Sequence, residues 1–308
     1  MTQSLNRLLW RRYRTRFWAL LVLSVVIGVG LAILNSTNWQ ALMTTSDFFT
    51  ADITKWQVYN DPRYSVSFYT YWVVFIYWLV GIVLVYQDRR ENFDQFLFAS
   101  GYRRHTIYWT KLALAFGGLL VITVLTMAAQ YGVYWLNIPA RMTFNFAWPG
   151  FITTWVVNLA MSWGFFAIAW FAALILGQTW SLLVTLGGFT ISLIGVATFV
   201  QGLLAKWTTS QLEWLSVGLW LTVTVILLVW GAYLYDRVTL EHVGEYLMFP
   251  ALRTPVYIVF VVYMTALFTV NATDLEPAVV TFIITTVFGY WWLWRPPLTG
   301  TWHRRHES

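Results

Sequence analysis

A short polar segment between two long apolar runs holds the side chains whose types and spacing are best suited to binding chemistry. It spans residues 91–111 and reads E-N-F-D-Q-F-L-F-A-S-G-Y-R-R-H-T-I-Y-W-T-K. On a helix, one face of this segment carries side chains at i, i+3, i+4 and i+7, which are Phe93, Phe96, Leu97 and Ser100. Gly101 then supplies a natural C′ residue that ends the helix. Such a face predicts binding to a groove on another protein or to lipid headgroups, and a plain loop that stops translocation is the alternative.

Other catalytic and binding chemistries lack their residues in this sequence. There is no cysteine, which excludes disulfides, thiol catalysis and thiolate metal ligands. None of the 4 histidines forms an H-E-x-x-H motif, and no G-x-x-x-x-G-K-[ST] loop could hold nucleotide phosphates. Asp47, Asp52 and Asp61 make no tight D-x-D pair. The sequence therefore predicts no catalytic residue, no metal ligand and no cofactor in this chain.

The composition indicates that lipid surrounds the elements that position the segment. Of 308 residues, 59% are hydrophobic and 10% charged, against about a quarter charged in soluble domains. A helix needs about 20 apolar residues to cross a hydrocarbon core. Eight runs approach that length: Phe17–Asn35, Phe68–Tyr86, Leu112–Leu136, Phe151–Leu176, Ser181–Val200, Leu215–Tyr235, Pro255–Asn271 and Pro277–Trp294. This predicts an all-α polytopic membrane protein with about eight transmembrane helices in a single transmembrane domain, 1–308.

Basic residues divide unequally between the two sides of this arrangement. Of the 19 lysines and arginines, the side opposite the N-terminus receives only Lys55, Arg63, Arg141 and Lys206. Because basic residues near the ends of a span resist translocation, the other side is cytoplasmic. Both termini and the segments 87–111 and 236–254 are therefore predicted to be cytoplasmic.

Residues 1–16 predict a separate amphipathic N-terminal helix that lies in the headgroup layer. Its helically spaced positions are Leu5, Leu8, Leu9 and Arg12, and its interfacial anchors are Trp10 and Tyr13. An ordinary basic flank of the first span is the alternative.

The eight predicted spans contain no acidic or basic residue. Carriers that are driven by ions commonly keep an ionisable side chain at mid-membrane, where it is costly. The sequence therefore disfavours a secondary carrier.

Two cytoplasmic segments resemble the permease subunits of type-2 ATP-binding cassette (ABC) exporters. The first has the order E-x-x-x-x-F-L-x-x-S, then R, then I-x-x-x-K, carried by Glu91, Phe96, Leu97, Ser100, Arg104, Ile107 and Lys111. The second, L-E-H-V-G-E-Y-L-M-F-P-A-L-R over 240–253, is similar to the eight-span members of that family from Gram-positive bacteria. One departure is that many relatives have a proline near position 102, where this chain has Gly101-Tyr102.

The resemblance implies a permease whose segment 87–111 is the coupling segment that docks on a separate ABC ATPase subunit. That partner would bind ATP and magnesium. The implied contact residues are Glu91, Phe93, Phe96, Leu97, Ser100, Arg103, Arg104 and Lys111. In the second segment they are Glu241, Gly244, Glu245 and Arg253, and we expect Glu241 or Glu245 to pair with Arg104.

A second permease chain, identical or paralogous, would complete the pathway in the cell membrane, with an amphipathic cargo. Besides the lipid bilayer, these are the expected partners, and no nucleic acid is among them. Two alternatives remain open. One is a noncatalytic membrane sensor or immunity protein on the same scaffold, and the other is a membrane enzyme that acts on lipid-linked substrates.

Overall fold

Long helices make up most of the part of the chain that the structure describes. The computed structural model describes residues 2–42, 68–137, 150–203, 208–238, 246–269 and 275–294. The helices in these ranges are α1 (Thr2–Leu42), α2 (Phe68–Arg90), α3 (Phe93–Ala99), α4 (Arg104–Asn137), α5 (Gly150–Ile175), α6 (Thr179–Leu203), α7 (Thr209–Tyr235), the 3-10 helix Pro250–Leu252, α8 (Arg253–Thr269) and α9 (Leu275–Trp294). The described residues contain no strand beyond one isolated bridge, so the predicted all-α class is confirmed.

Seven helices in the described ranges are long and apolar enough to cross a membrane. They lie in α1, α2, α4, α5, α7, α8 and α9, and each overlaps one predicted span. The remaining predicted span, Ser181–Val200, falls in α6, where the apolar stretch Trp180–Leu193 is shorter. The chain is therefore a helical multi-pass membrane protein, whereas the count of eight spans and the cytoplasmic orientation stay predictions.

Helix α1 continues through the predicted boundary at residues 16 and 17. It runs unbroken for 41 residues, which is about 60 Å at 1.5 Å per residue. Neither glycine nor proline lies near that boundary to end a helix. Leu5, Leu9 and Tyr13 are buried against the protein, so Tyr13 is not the interfacial anchor that the pattern suggested. Trp10 is 46% exposed and keeps that role as a prediction.

The chain divides into two compact units that alternate along the sequence. Unit 1 comprises Met1–Phe171 and Thr208–Arg237, and unit 2 comprises Ala172–Trp207 and Val238–Ser308. In unit 1, α1 packs on α4, which also contacts α2 and α7, while α3 packs on α2. In unit 2, α8 packs along α9 and contacts α6.

A buried tyrosine ties α4 to two other helices of unit 1. The Tyr108 hydroxyl donates to the Leu228 carbonyl at 2.8 Å, which satisfies a backbone group inside α7. The Tyr108 ring meets Trp170 of α5 edge to face, with 6.1 Å between the ring centroids. Both aromatic side chains are almost fully buried. Burial of two large rings makes this one of the main apolar contacts of the unit.

In unit 2, the segment after residue 245 is held against the end of α5 by backbone hydrogen bonds. The Met248 amide donates to the Ile175 carbonyl at 2.9 Å, and the Gly177 amide donates to the Tyr246 carbonyl at 3.1 Å. Leu247 is buried beside them. These bonds fix the stretch 246–248 to the chain directly after α5.

Helices α2 and α5 are in close contact at Gly81, so replacement of this glycine by alanine should lower the stability of the protein. A Cβ on Gly81 would lie 2.8 Å from the Phe166 carbonyl oxygen and 2.9 Å from the Ala169 Cβ. Because backbone lies in the way, α2 and α5 would have to separate, and we expect Gly81→Ala to cost about 1–3 kcal/mol of stability. Thermal unfolding of the purified protein in detergent measures this difference.

The matched control for this substitution is Gly117→Ala. Nothing lies within 4 Å of a Cβ at Gly117. Alanine is the better helix former, by about 1 kcal/mol, so this variant should be neutral or slightly more stable. If both substitutions changed stability equally, the close approach of α2 and α5 at Gly81 would not be the cause of the loss.

Candidate functional site: a buried charge cluster beside α3

Five helices of unit 1 meet at a group of charged and hydroxyl side chains, named the charge cluster below. Its members are Arg12 and Tyr13 of α1, Asp88 of α2, Asp94 of α3, Lys111 of α4 and Tyr235 of α7. The Asp88 side chain is fully buried, and those of Lys111 and Asp94 are 5% and 9% exposed. Burial of an ionised group costs several kcal/mol unless partners compensate for it. The pairing within the cluster therefore decides whether these helices can meet here.

Lys111 is the centre of the charge cluster. Its Nζ lies 2.7 Å from Asp88 Oδ2 and 2.5 Å from Asp94 Oδ1. The Tyr235 hydroxyl also donates to Asp94 Oδ1, at 3.1 Å. One ammonium group thus joins α2, α3 and α4, and a phenol adds α7 to the same site.

Two adjacent residues of α1 complete the surroundings of Asp88. The Arg12 Nε donates to Asp88 Oδ1 at 2.9 Å, and the Tyr13 hydroxyl donates to Asp88 Oδ2. Together with Lys111, they give this carboxylate three donors from two helices. A fully paired carboxylate of this kind fixes α1 to α2 and α4, because loss of any one donor leaves charge inside the protein without compensation.

Glu91 extends the cluster to the surface. Arg12 Nη2 lies 2.5 Å from its carboxylate and Arg16 Nη2 lies 3.7 Å from it. The Gln87 side-chain amide donates to the same group at 2.7 Å. The hydrogen bond from Gln87, then that from Arg12, holds the pKa of Glu91 below its usual range. The Glu91 carboxylate is exposed, so its contacts with α1 are screened by solvent.

We expect the contribution of Glu91 to stability to be small at neutral pH and to vanish in acid. Its folded pKa is lowered, so its stabilising contacts are fully present above the unfolded value of about 4.3. They are lost as the pH falls through the lowered folded pKa, because protonation removes the charge. Thermal midpoints of the wild-type chain and of Glu91→Gln should therefore differ slightly at pH 7 and converge at low pH. If the thermal midpoints still differed at low pH, the charge of Glu91 would not be the cause of the difference.

Helix α3 is short, and a residue with positive φ lies close to each of its ends. Asn92 before it and Gly101 after it both have positive φ, at 55° and 79°. The Ser100 amide donates to the Phe96 carbonyl at 3.0 Å, which closes the last turn. The prediction that Gly101 ends the helix is confirmed, since a left-handed residue at C′ favours glycine.

The apolar face predicted for α3 is divided between the interior and the surface. Leu97 is fully buried, so its prediction as a contact for another protein is wrong. Phe96 is 55% exposed. Phe93 is half-buried, stacks on Phe96 with 6.0 Å between centroids, and has the Arg12 guanidinium 4.0 Å from its ring centroid. The sequence pattern placed Asp94 toward solvent, whereas its pairing with Lys111 turns that face inward and Leu97 with it.

The other predicted contact residues of the segment take different positions. Lys111 is buried within the chain, so its direct contact with a partner is also wrong. Ser100 and Arg103 are exposed, as a partner contact requires. Arg104 is half-buried, donates to the Asp236 carbonyl at 3.1 Å and lies 4.6 Å from the Phe98 ring centroid.

Most of the predicted residues in the second cytoplasmic segment lie outside the described ranges. These are Glu241, Gly244 and Glu245, and with them the expected pairing to Arg104. Arg253 is described, and it begins α8 directly after the 3-10 helix that starts at Pro250.

Sequence reasoning missed the buried members of the charge cluster. Asp88, Asp94 and Tyr235 were not predicted to be site residues, and Arg12 and Tyr13 were assigned to the lipid headgroup layer. A usable signal was present, because Asp88 follows one apolar run and Lys111 directly precedes the next. Opposite charges at facing ends of two consecutive helices can pair when a short connection brings those ends together.

The boundaries of the apolar helices also need correction. Helix α2 continues to Arg90 and α4 begins at Arg104, so the candidate spans include Asp88 and Lys111. The prediction that every charged residue lies outside the spans therefore holds for the apolar runs but not for the helices. Asp88 lies in the last turn of α2 and Lys111 about two turns into α4, so neither lies in the middle of its helix.

No protein-family model, curated protein or solved structure matches the chain. The function is therefore argued from the residues and from the geometry of the charge cluster and α3.

Proposed function

We propose that this chain is the permease subunit of an ABC exporter in the cell membrane, driven by a separate ATPase subunit. The observation that carries the proposal is the position of α3. This helix connects two long helices, exposes Phe96 on its outer face and is fixed on its inner face through Asp94. A helix that presents an aromatic side chain outward and is anchored inward suits a contact that transmits force.

The charge cluster supports this proposal because its ion pairs connect α3 to α4, α2 and α1. A displacement of α3 acts on Asp94 and passes through the 2.5 Å contact to Lys111 of α4. Lys111 also holds Asp88, and Asp88 is held by Arg12 of α1. The ATPase would push on α3, and α1 and α4 would respond together.

The pairing of Asp88 argues against an ion-driven carrier that uses this carboxylate. A carrier site must exchange its ion or proton with water on each side of the membrane. Asp88 is fully buried, and Arg12, Tyr13 and Lys111 occupy its oxygens. Enclosure of this kind fits a structural anchor better than a site that opens in each cycle.

Two permease chains, identical or paralogous, would line one pathway for an amphipathic cargo. A noncatalytic sensor or immunity protein remains the alternative, because it could use the same docking helix without transport. Vesicles that contain the purified permease and its ATPase separate the two functions, since only an exporter moves cargo when ATP is supplied.

The first experiment is photocrosslinking at position 96 in the full chain. A benzophenone side chain at Phe96 should capture an ATPase with a Walker A motif in intact cells. The same probe at Leu97 should not, because that side chain is buried. Capture of no ATPase at position 96, or equal capture at both positions, would contradict the proposal.

We expect Phe96→Ala to weaken the complex with the ATPase. Truncation of an aromatic anchor typically costs about 1–3 kcal/mol of association. Gln95→Ala is the matched control, because Gln95 is an exposed polar neighbour on α3. Titration of the purified subunits measures both affinities, and equal affinities for the two variants would show that Phe96 is not an anchor.

A further inference from the structure

A row of arginines faces outward on the first turns of α1. Arg7, Arg11 and Arg14 are exposed and recur at i, i+4 and i+7, which is the spacing of one helix face. Within the described part of the chain, none of the three takes part in an ion pair. They differ in this from Arg12 and Arg16, which turn toward Asp88 and Glu91. The row has no protein partner among the described residues, and α1 contains no acidic residue to neutralise it.

The same face of α1 becomes apolar at Trp18. Trp18 is 62% exposed, Val22 59% and Val26 63%, and they continue the face at helical spacing. Tryptophan is enriched where the hydrocarbon of a membrane meets its headgroups. Trp18 therefore marks that boundary on α1, with lipid chains beside Val22 and Val26 and headgroups on the side of the arginines.

The helix rise then gives the depth of each arginine. Arg14, Arg11 and Arg7 lie about 6, 10 and 16 Å along the helix from Trp18, at 1.5 Å per residue. The polar layer on each side of the hydrocarbon core is about 5–8 Å thick. Arg14 therefore lies within this layer. Arg11 lies a few Å beyond it, within reach of its long side chain, and Arg7 lies well outside it.

We infer that Arg11 and Arg14, with Trp18 beneath them, bind the headgroup of an anionic phospholipid. A guanidinium forms paired hydrogen bonds with phosphate oxygens, and the indole packs against the glycerol and the first part of the acyl chains. Arg7 adds a weaker, longer-range attraction. This surface needs no ATPase and no transport, so it does not depend on the proposed function.

Native mass spectrometry of the full chain, titrated with dioleoyl-phosphatidylglycerol or dioleoyl-phosphatidylcholine, tests this inference. The wild-type chain should bind phosphatidylglycerol more tightly. Arg11→Gln/Arg14→Gln should weaken that binding about 25-fold, or about fivefold for each arginine, which corresponds to about 1 kcal/mol per cation near an anionic surface. Arg11→Lys/Arg14→Lys should lose less affinity than the glutamine variant, because it keeps the charge, but should bind less tightly than the wild-type chain, because lysine cannot form the paired hydrogen bonds.

The matched control is Arg90→Gln/Arg237→Gln, which removes two exposed cations elsewhere in unit 1. It should change the affinity less than about twofold, since neither arginine belongs to the face of α1 that carries Arg11, Arg14 and Trp18. Equal binding of the two lipids, an equal loss in the control, or displacement of the lipid by millimolar inorganic phosphate would overturn the inference. If the Arg11/Arg14 double variant does not fold, the single variants Arg11→Gln and Arg14→Gln each carry the fivefold expectation.

Discussion

Lys111→Met should strongly destabilise unit 1. The substitution keeps the length of the side chain and removes the ammonium that lies 2.7 Å from Asp88 and 2.5 Å from Asp94. Removal of one partner from a buried ion pair typically costs about 3–5 kcal/mol, because the other charge is left buried without compensation. Asp94 would keep the Tyr235 hydroxyl as a donor, and Asp88 would keep Arg12 and Tyr13. Thermal unfolding in detergent, followed by size-exclusion chromatography, measures the loss.

Two further variants test whether the loss of stability comes from the broken ion pairs of Lys111 or from the removal of any positive charge. Asp94→Asn in the Lys111→Met background should recover part of the stability, because it removes one of the uncompensated carboxylates. Arg103→Met removes a cation from an exposed position of the same segment and should change stability by no more than about 0.5 kcal/mol. The buried ion pairs would be refuted as the cause if Lys111→Met unfolded at the wild-type temperature or if the double variant showed no recovery.

Leu97→Ala should be the next most damaging substitution, although sequence reasoning assigned Leu97 to a partner. Its side chain is fully buried within unit 1. Leucine to alanine at such a position typically costs about 2–5 kcal/mol, from lost apolar burial and from the cavity left behind. The loss should be measurable in the purified permease alone, without any partner.

Phe96→Ala is the matched comparison on the same helix. Its side chain is 55% exposed, so the stability of the isolated chain should change by no more than about 0.5 kcal/mol. Measurements of unfolding on both variants therefore test which way α3 faces. If Phe96→Ala destabilised the isolated chain as much as Leu97→Ala, the inward and outward faces of α3 would have been assigned wrongly.

The membrane helices could be predicted because their signal is local. A run of about 20 apolar residues has few alternatives in lipid, where every backbone group must be satisfied within its own helix. The continuity of α1 was missed for a different reason. The arginines of residues 1–16 suggested a change of environment, but nothing in the backbone chemistry there ends a helix. A change of surroundings does not require a change of secondary structure.

The charge cluster could not be predicted by the same reasoning, because it depends on contacts between residues distant in sequence. Asp94 and Leu97 are three residues apart and share one face of α3, yet a pattern that sorts residues by polarity separates them. The burial of Asp94 and Leu97, and the pairing of Asp94 with Lys111, show that this face points inward. The division into two units was also not predictable, since α7 joins unit 1 through contacts such as Tyr108 to Leu228.

The alternation of the two units along the sequence has a consequence for biosynthesis. Asp94 receives one hydrogen bond from Lys111 and another from Tyr235, which is 141 residues further along the chain. At translation rates of about 5–20 residues per second, that partner emerges about 7–28 s after Asp94. Throughout this interval the Asp94 carboxylate can pair with Lys111, but the Tyr235 hydroxyl is still absent. A ribosome that stalls before Tyr235 should therefore leave a chain whose charge cluster lacks its contact with α7.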